Sequence, residues 1–257
     1  MVEDAGYTIT VFRYTSNRQW VNIGGEVDSK KHTVQVPFDE FGYYKVMKMS
    51  RSYSDVTNHQ WARNVLNGLY SKGFMNNLRF EQFGADDQTS RGEFATLLVK
   101  GLSLPLDSEG KQTFSDLVPG ASSTTWDYAH IETATRAGIV TGLTEGIFAP
   151  DQPITREQAA VMIARALKLK LAVNDQKLKD NIAKSFLDSG KIDAYALSSI
   201  LAVTKAGIMS GSAVTTTGEK KASFNFNPKS NMTRAEAAKI AVELLKKSTK
   251  IFPKNLS

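Results

Sequence analysis

The chain has 257 residues, 41% of them apolar, which is enough for folded cores, and 23% charged, which argues against disorder. It contains no cysteine, which excludes thiol catalysis, disulfides and cysteine-ligated metals. The formal charge of +6 is carried entirely after residue 50, since the first fifty residues are neutral and leave 26 of the 32 basic residues against 20 of the 26 acidic ones. That excess suits an anionic partner such as nucleic acid, a teichoic-type polymer or an acidic glycan, and equally a solvated surface with surplus lysine.

The opening MVEDAGYTITVF has no basic region followed by an apolar segment, so no export signal is visible, and the chain begins as if cut from something longer. No apolar run approaches the ~18 residues of a membrane span, so membrane insertion is not expected. Residues 1–50 read as a β-rich segment. YTITVFRY (7–14) and HTVQVPF (32–38) alternate apolar and polar, WVNIGGEVD (20–28) offers a short strand ending in a glycine turn, and YYKVMKM (43–49) closes the set. Three or four strands are few for an independent domain, so the segment is either the tail of a preceding β domain or a small unit packed on the helical part after it.

After Arg51 the period changes from two to 3.6, and helices are expected, separated by loops such as LSLPLDSEGKQ (102–112) and NDQKLKDN (174–181). The helical part repeats itself. TSRGEFATLLVKGL (89–102), ITREQAAVMIARAL (154–167) and MTRAEAAKIAVELL (232–245) share a hydroxyl residue, an arginine, an acid or amide two or three positions later, and apolar residues on one helical face. Eight residues before Arg91, Arg156 and Arg234 stand Phe83, Phe148 and Phe226. Farther back come KGFMNN, AGIVTG and AGIMSG, whose first glycines Gly73, Gly138 and Gly207 suit helix ends in the left-handed region. The second turn position is Asn77, Gly142 or Gly211, and Asn is the non-glycine residue that best tolerates positive φ. The helices before these turns are expected to carry Trp61, Trp126 and Tyr195. Each copy opens with an aromatic-x-Asp: YSD, FSD and FLD, ending at Asp55, Asp116 and Asp188. The third copy has an insertion of nine residues between Gly207 and Arg234.

This combination resembles the S-layer homology module of bacterial cell-surface proteins, over roughly residues 53–247. The second copy is the nearest to the pattern, with FSDL, AGIVTG and FAPDQPITRE; the first departs most, with Asn77 for glycine, FGADDQ for Phe-x-Pro and SRGE for TRAE. The resemblance implies a mainly α fold, three tandem helical repeats forming a pseudo-threefold bundle with lobes, preceded by the small β-strand segment. The expected divisions are 1–50 β-rich, 51–106, 112–170 and 184–247 for the three modules, and 248–257 as a tail. It further implies a non-catalytic, secreted anchor held at the cell surface, in an S-layer or cell wall. There the partner is secondary cell-wall polysaccharide, carrying pyruvate ketals on N-acetylmannosamine in a Gram-positive-type envelope, with a larger cargo or enzyme domain on the N-terminal side.

Ser90, Thr155 and Thr233 each match the capping box, which explains the hydroxyl and the acid or amide but not the arginine. A cation in the first turn opposes the helix dipole, so a compensating contact is expected. One reading is a two-pronged grip on a ligand carboxylate beside free helix amides. The other is pairing of each arginine with the Asp of a neighbouring copy. Removing Arg156 or Arg234 is expected to weaken wall binding while leaving the helical spectrum intact. Asp55, Asp116 and Asp188 either cap the next helix or bond sugar hydroxyls and orient the arginine. Trp61 and Trp126 either stack on sugar or pack in the core, while Asn77, Gly142 and Gly211 are turn residues where a sugar could approach closely.

The resemblance thus makes Arg91, Arg156, Arg234, Asp55, Asp116, Asp188, Trp61, Trp126, Asn77, Gly142 and Gly211 the candidate ligand set. No catalytic residue, cofactor or metal is expected: His32, His59 and His130 are scattered, and no nucleotide-binding loop or nucleophile elbow occurs. Rival readings are a lattice component whose repeats serve self-assembly, a glycosidase using Asp116 and Glu157, and a nucleic-acid binder resting only on the basic balance.

Overall fold

The structure, a computed structural model, describes residues 4–36, 38, 41–106, 112–173, 175–214 and 222–248. Parts of the two expected loops (107–111 and 174), most of the third-copy insertion (215–221) and the tail residues 249–257 lie outside them. Two compact units are present. One takes in the N-terminal residues up to Asp87, Lys100–Ser103 and the C-terminal residues from Thr233; the other takes in Gln88–Val99 and Leu104–Met232.

In the first unit a short helix α1 (Ala5–Thr8) occupies part of the stretch expected as strand, and leads into β1 (Ile9–Tyr14). β2 (Trp20–Gly24) and β5 (Tyr44–Lys48) flank β1 antiparallel, with Phe12 opposite both Asn22 and Lys45. β3 (Glu26–Asp28) and β4 (Thr33–Gln35) pair separately. WVNIGGEVD is therefore two strands, not one. Gly24 and Gly25 both have positive φ, at 72° and 127°, so the chain leaves one sheet and enters the other between them.

This β segment is bonded to the first helical copy. The buried Lys72 ammonium donates to the carbonyls of Ile9 and Gly25, the Asn22 amide to Ser71 O, and the Ser71 hydroxyl to Met49 O. Burial pushes the Lys72 ammonium down to about 8. The strands thus pack on the helical copy after them.

Among the described residues the further helices are α2 (Ser54–Thr57), α3 (Arg63–Ser71), α4 (Arg91–Gly101), α5 (Tyr128–Arg136), α6 (Arg156–Ala166), α7 (Gln176–Ser185), α8 (Leu197–Lys205) and α9 (Arg234–Ser248), with a 3-10 turn at Ser189–Lys191. In each copy a helix ends at a left-handed glycine: α3 at Gly73, α5 at Gly138 and α8 at Gly207, with φ of 77°, 71° and 70°. The following amides of Phe74, Ile139 and Ile208 reach back to Leu69, Ala134 and Val203, closing the same C-terminal motif three times.

Three expectations need correction. Residues 174–181 are not all loop, because Asp175 accepts from the Leu178 amide and Leu178 and Ile182, one turn apart, are buried, which starts and anchors α7. Trp61, Trp126 and Tyr195 are not on helices: each stands two residues before the first residue of α3, α5 or α8. Gly142 and Gly211 are not positive-φ glycines, and neither is Asn77. Space selects the glycines instead. A Cβ on Gly142 would lie 2.5 Å from Thr144 O and 2.7 Å from Ile147 O, and one on Gly211 2.9 Å from Asn225 O. Beyond these turns the first two copies make one isolated bridge each (Arg79 with Gln82, Thr144 with Ile147). The third has a ladder of β6 (Ser212–Val214) and β7 (Ser223–Asn225), between which the insertion falls.

Candidate functional site

The three motif phenylalanines are fully buried, and each is held the same way. Its ring lies beside the aromatic of its own copy's aromatic-x-Asp motif, with centroid separations of 6.0 Å for Tyr53–Phe83 and 5.3 Å for both Phe114–Phe148 and Phe186–Phe226. The Asp of that motif accepts backbone amides of the phenylalanine loop. Asp55 takes Phe83, Gly84 and Ala85; Asp116 takes Phe148 and Ala149; Asp188 takes Phe226 and Asn227. Burial alone would raise the Asp55 carboxyl, but the three amides outweigh it and hold the group below its usual value. None of these contacts is a cap on the following helix.

The other side of each phenylalanine loop belongs to an arginine from another copy. Arg91 Nε donates to Phe148 O (2.9 Å) and Nη2 to Thr141 O (3.3 Å). Arg156 donates to Phe226 O and Ser210 O, both at 2.8 Å. Arg234 donates to Phe83 O and Asn76 O. Each guanidinium also lies over the ring of the same phenylalanine, at 4.9, 5.0 and 4.5 Å. The order is cyclic: first copy to second, second to third, third to first. Arginine and Asp therefore meet through the peptide of the phenylalanine, not by the direct pairing that one sequence reading offered.

The helix starts are occupied as well. The amides of Arg91 and Gly92 donate to Gln152 O and Pro150 O, those of Arg156 and Glu157 to Ser230 O and Pro228 O, and those of Arg234 and Ala235 to Asp87 O and Ala85 O. The next amide in each helix goes to Ser90 Oγ, Thr155 Oγ1 or Thr233 Oγ1. The expectation of free helix amides for an anion is thus overturned, because neighbouring carbonyls take them. Just before the caps, the Thr89 amide donates to Met232 O, Met232 to Ile154 O and Ile154 to Thr89 O, a closed ring of three bonds.

Within the second unit lies an open groove of about 470 Å³, in the size range of small-ligand sites. Gly142 and Leu143, the buried Arg91, the apolar Val161 and Met162 of α6, and Tyr195 all line it. Arg165, near the end of α6, is exposed in the groove and donates to Thr141 Oγ1 at 3.3 Å. Arg91 is 2% exposed, and burial lowers its guanidinium to about 10, so it stays cationic at neutral pH. Glu157 is buried and fully engaged, accepting from the Asp193 amide, the Tyr195 hydroxyl and the Lys229 ammonium. Lys229 also pairs with Asp193, and that bond holds the Asp193 carboxyl below its usual value.

The S-layer homology domain family model matches residues 52–95, 121–160 and 185–238, more than half the chain. The chain belongs to the S-layer homology domain family. It carries three tandem modules of that family. It is 28% identical over 95% of its length to an amylopullulanase of Thermoanaerobacterium thermosulfurigenes, and 32% identical over 75% to an endoglucanase of a Bacillus species. An S-layer protein of Bacillus thuringiensis subsp. finitimus is 30% identical over 75%. The chain spans 12%, 18% and 21% of these three proteins. S-layer homology modules are non-catalytic anchors that bind cell-wall polymers, and they place this chain at the cell surface. No described helix is long and apolar enough to cross a membrane.

Of the candidate residues, the groove in the second unit brings together Arg91 and Gly142. Trp126 is buried, with its indole N–H on Asp151 Oδ1 at 2.8 Å and its ring against Gly92, where a Cβ would lie 2.6 Å away. Trp61 is half-exposed, with the Lys239 ammonium 5.5 Å from its ring and His59 edge-on. Asn77 donates to Arg79 O. Sequence reasoning passed over Tyr195, Arg165, Asp193 and Lys229 as groove residues. Tyr195 was recognisable, since it holds the place of Trp61 and Trp126 in the S-layer homology pattern. Arg165 was visible as a charge on an otherwise apolar-rich helix.

Proposed function

We propose that this chain anchors a larger secreted protein to the envelope by holding secondary cell-wall polysaccharide, with a pyruvate-ketal carboxylate as the recognised anion. The groove lined by Arg91, Gly142, Arg165 and Tyr195 carries this reading, because it joins cations to an aromatic and apolar surface as an acidic sugar requires. Arg156, Arg234, Asp55, Asp116 and Asp188 serve the same end by gripping the phenylalanine loops, each arginine that of another copy and each aspartate that of its own, and Gly211, Asn77, Trp61 and Trp126 complete the candidate set.

The modules close into a pseudo-threefold bundle in this proposal. Its support is the cyclic order of the arginine contacts and the three-membered ring through Thr89, Ile154 and Met232. The modules follow the divisions 51–106, 112–170 and 184–247. Cargo on the N-terminal side is in keeping with relatives far longer than this chain, among them the amylopullulanase and the endoglucanase.

Co-sedimentation with isolated wall sacculi tests the proposal. Binding to intact sacculi that disappears after chemical removal of the secondary polymer is expected. Equal binding before and after stripping would reject the polymer as partner, and ordered sheets formed without wall would turn the reading towards lattice assembly.

A further inference from the structure

We propose that Arg165, and not one of the three repeat arginines, meets the anionic group of the saccharide in the second-unit groove, with the Tyr195 ring as the surface on which the sugar lies. This rests on the reading of the groove as a polymer site and adds to it a division of labour among the cations.

Arg91 is occupied with holding the protein together. All three of its guanidinium nitrogens face protein oxygens: Nε to Phe148 O, Nη2 to Thr141 O, and Nη1 to Gln158 Oε1 at 3.4 Å. Turning it towards a ligand would strip the Phe148 carbonyl of its donor in a buried place and the Thr141 carbonyl of its donor in a partly buried one. Lys229 is equally committed, held by Glu157 and Asp193. Arg165 differs. It is exposed, lines the groove, and bonds through Nη1 to a threonine hydroxyl at 3.3 Å. Its guanidinium keeps donors in the planar fork that matches a carboxylate, and binding one costs no buried partner.

The acids beside it do not repel such a ligand strongly. Glu157 accepts three donors and Asp193 is paired, with Lys229 shared between them, so its ammonium offsets one of the two negative charges and the guanidiniums of Arg91 and Arg165 outweigh the other. The same cluster fixes Tyr195. Its hydroxyl is tied to Glu157 Oε1 at 3.2 Å while the ring stays 54% exposed. Burial first, then the Glu157 charge, raise the tyrosine's ionisation above its usual value, so the hydroxyl remains a donor. A ring held at its tip offers a flat apolar face at little further entropic cost. Arg165, Tyr195, Val161 and Met162 line one groove and together supply a cation, an aromatic face and apolar surface for a pyranose bearing a carboxylate.

The test uses the whole chain with isolated wall polysaccharide, intact or freed of pyruvate by mild acid. Wild type prefers the intact polymer. Arg165→Gln loses roughly 10- to 100-fold in affinity for intact polymer and no longer distinguishes the two polymers, while its thermal melt is unchanged. Arg165→Lys recovers part of the preference, and Tyr195→Ala weakens binding to both polymers alike. Wild-type binding with an undiminished preference in Arg165→Gln would overturn this assignment alone. Absence of any wild-type binding to the polymer would overturn the polymer reading and this proposal with it.

Discussion

Removing Arg234 is the sharpest test of the loop-gripping arginines. The residue is 0% exposed; it donates to Phe83 O and Asn76 O and lies 4.5 Å from the Phe83 ring centroid. Arg234→Ala leaves two carbonyls without these donors, deletes a cation–π contact and opens a void beneath a buried phenylalanine. Charge-assisted hydrogen bonds contribute ~1.5–3 kcal/mol each and the ring contact ~0.5–2 kcal/mol. Relaxation and water entry offset part of this, so a net loss of about 3–5 kcal/mol is expected. That corresponds to a melting point lower by on the order of 10 °C. The assay is urea unfolding followed by far-UV circular dichroism, with Arg234→Lys as a companion that keeps charge but not the fork and falls between the two. The burial reverses the sequence expectation that this arginine could be removed without touching the helices. A loss below about 1 kcal/mol would refute the assignment of Arg234 to holding the copies together.

Asp55 and Lys72 give opposite pH signatures. The Asp55 carboxyl is held below its ordinary value of 3.8, so its contribution is complete above that value and fades as pH falls through the lower folded value. Wild type minus Asp55→Asn stability therefore shrinks on acidification below about pH 4, and a difference that stays constant there contradicts the amide grip. Lys72 titrates at about 8 when folded against 10.5 unfolded, so the folded state sheds its proton first and wild type gains on Lys72→Met as pH rises between these values. The gain amounts to about 3 kcal/mol at most, read from melts between neutral and alkaline pH, and a gap that narrows over that range refutes it. Gly142→Ala forces a Cβ against two carbonyl oxygens and is expected to cost about 2 kcal/mol or more and to distort the groove wall. A neutral substitution, seen in urea unfolding, would mean that the turn relaxes freely.

The repeat itself was legible because its punctuation is chemical. Hydroxyl caps, left-handed glycines after α3, α5 and α8, and a phenylalanine at a fixed distance from each arginine all follow from local rules. What the arginines touch was not legible, since Phe148 O and Thr141 O carry no side-chain signature and are brought to Arg91 only by folding. The occupied helix amides were hidden for the same reason. Periodicity also misplaced Trp61, Trp126 and Tyr195: apolar spacing continues backward past a helix start, whereas the helix begins two residues later. The α7 segment reads as loop because its buried face is only Leu178 and Ile182 among lysines. Gly142 was read through φ when the constraint was crowding from Thr144 O and Ile147 O.

The most direct test of the account is a crystal structure of the chain with a pyruvylated fragment of wall polysaccharide. The predicted result is a sugar ring on Tyr195, its carboxylate within ~3 Å of the Arg165 guanidinium, with the carbonyl contacts of Arg91 unbroken. A fragment bound outside the groove, or a carboxylate on Arg91 with its Phe148 bond broken, would contradict it.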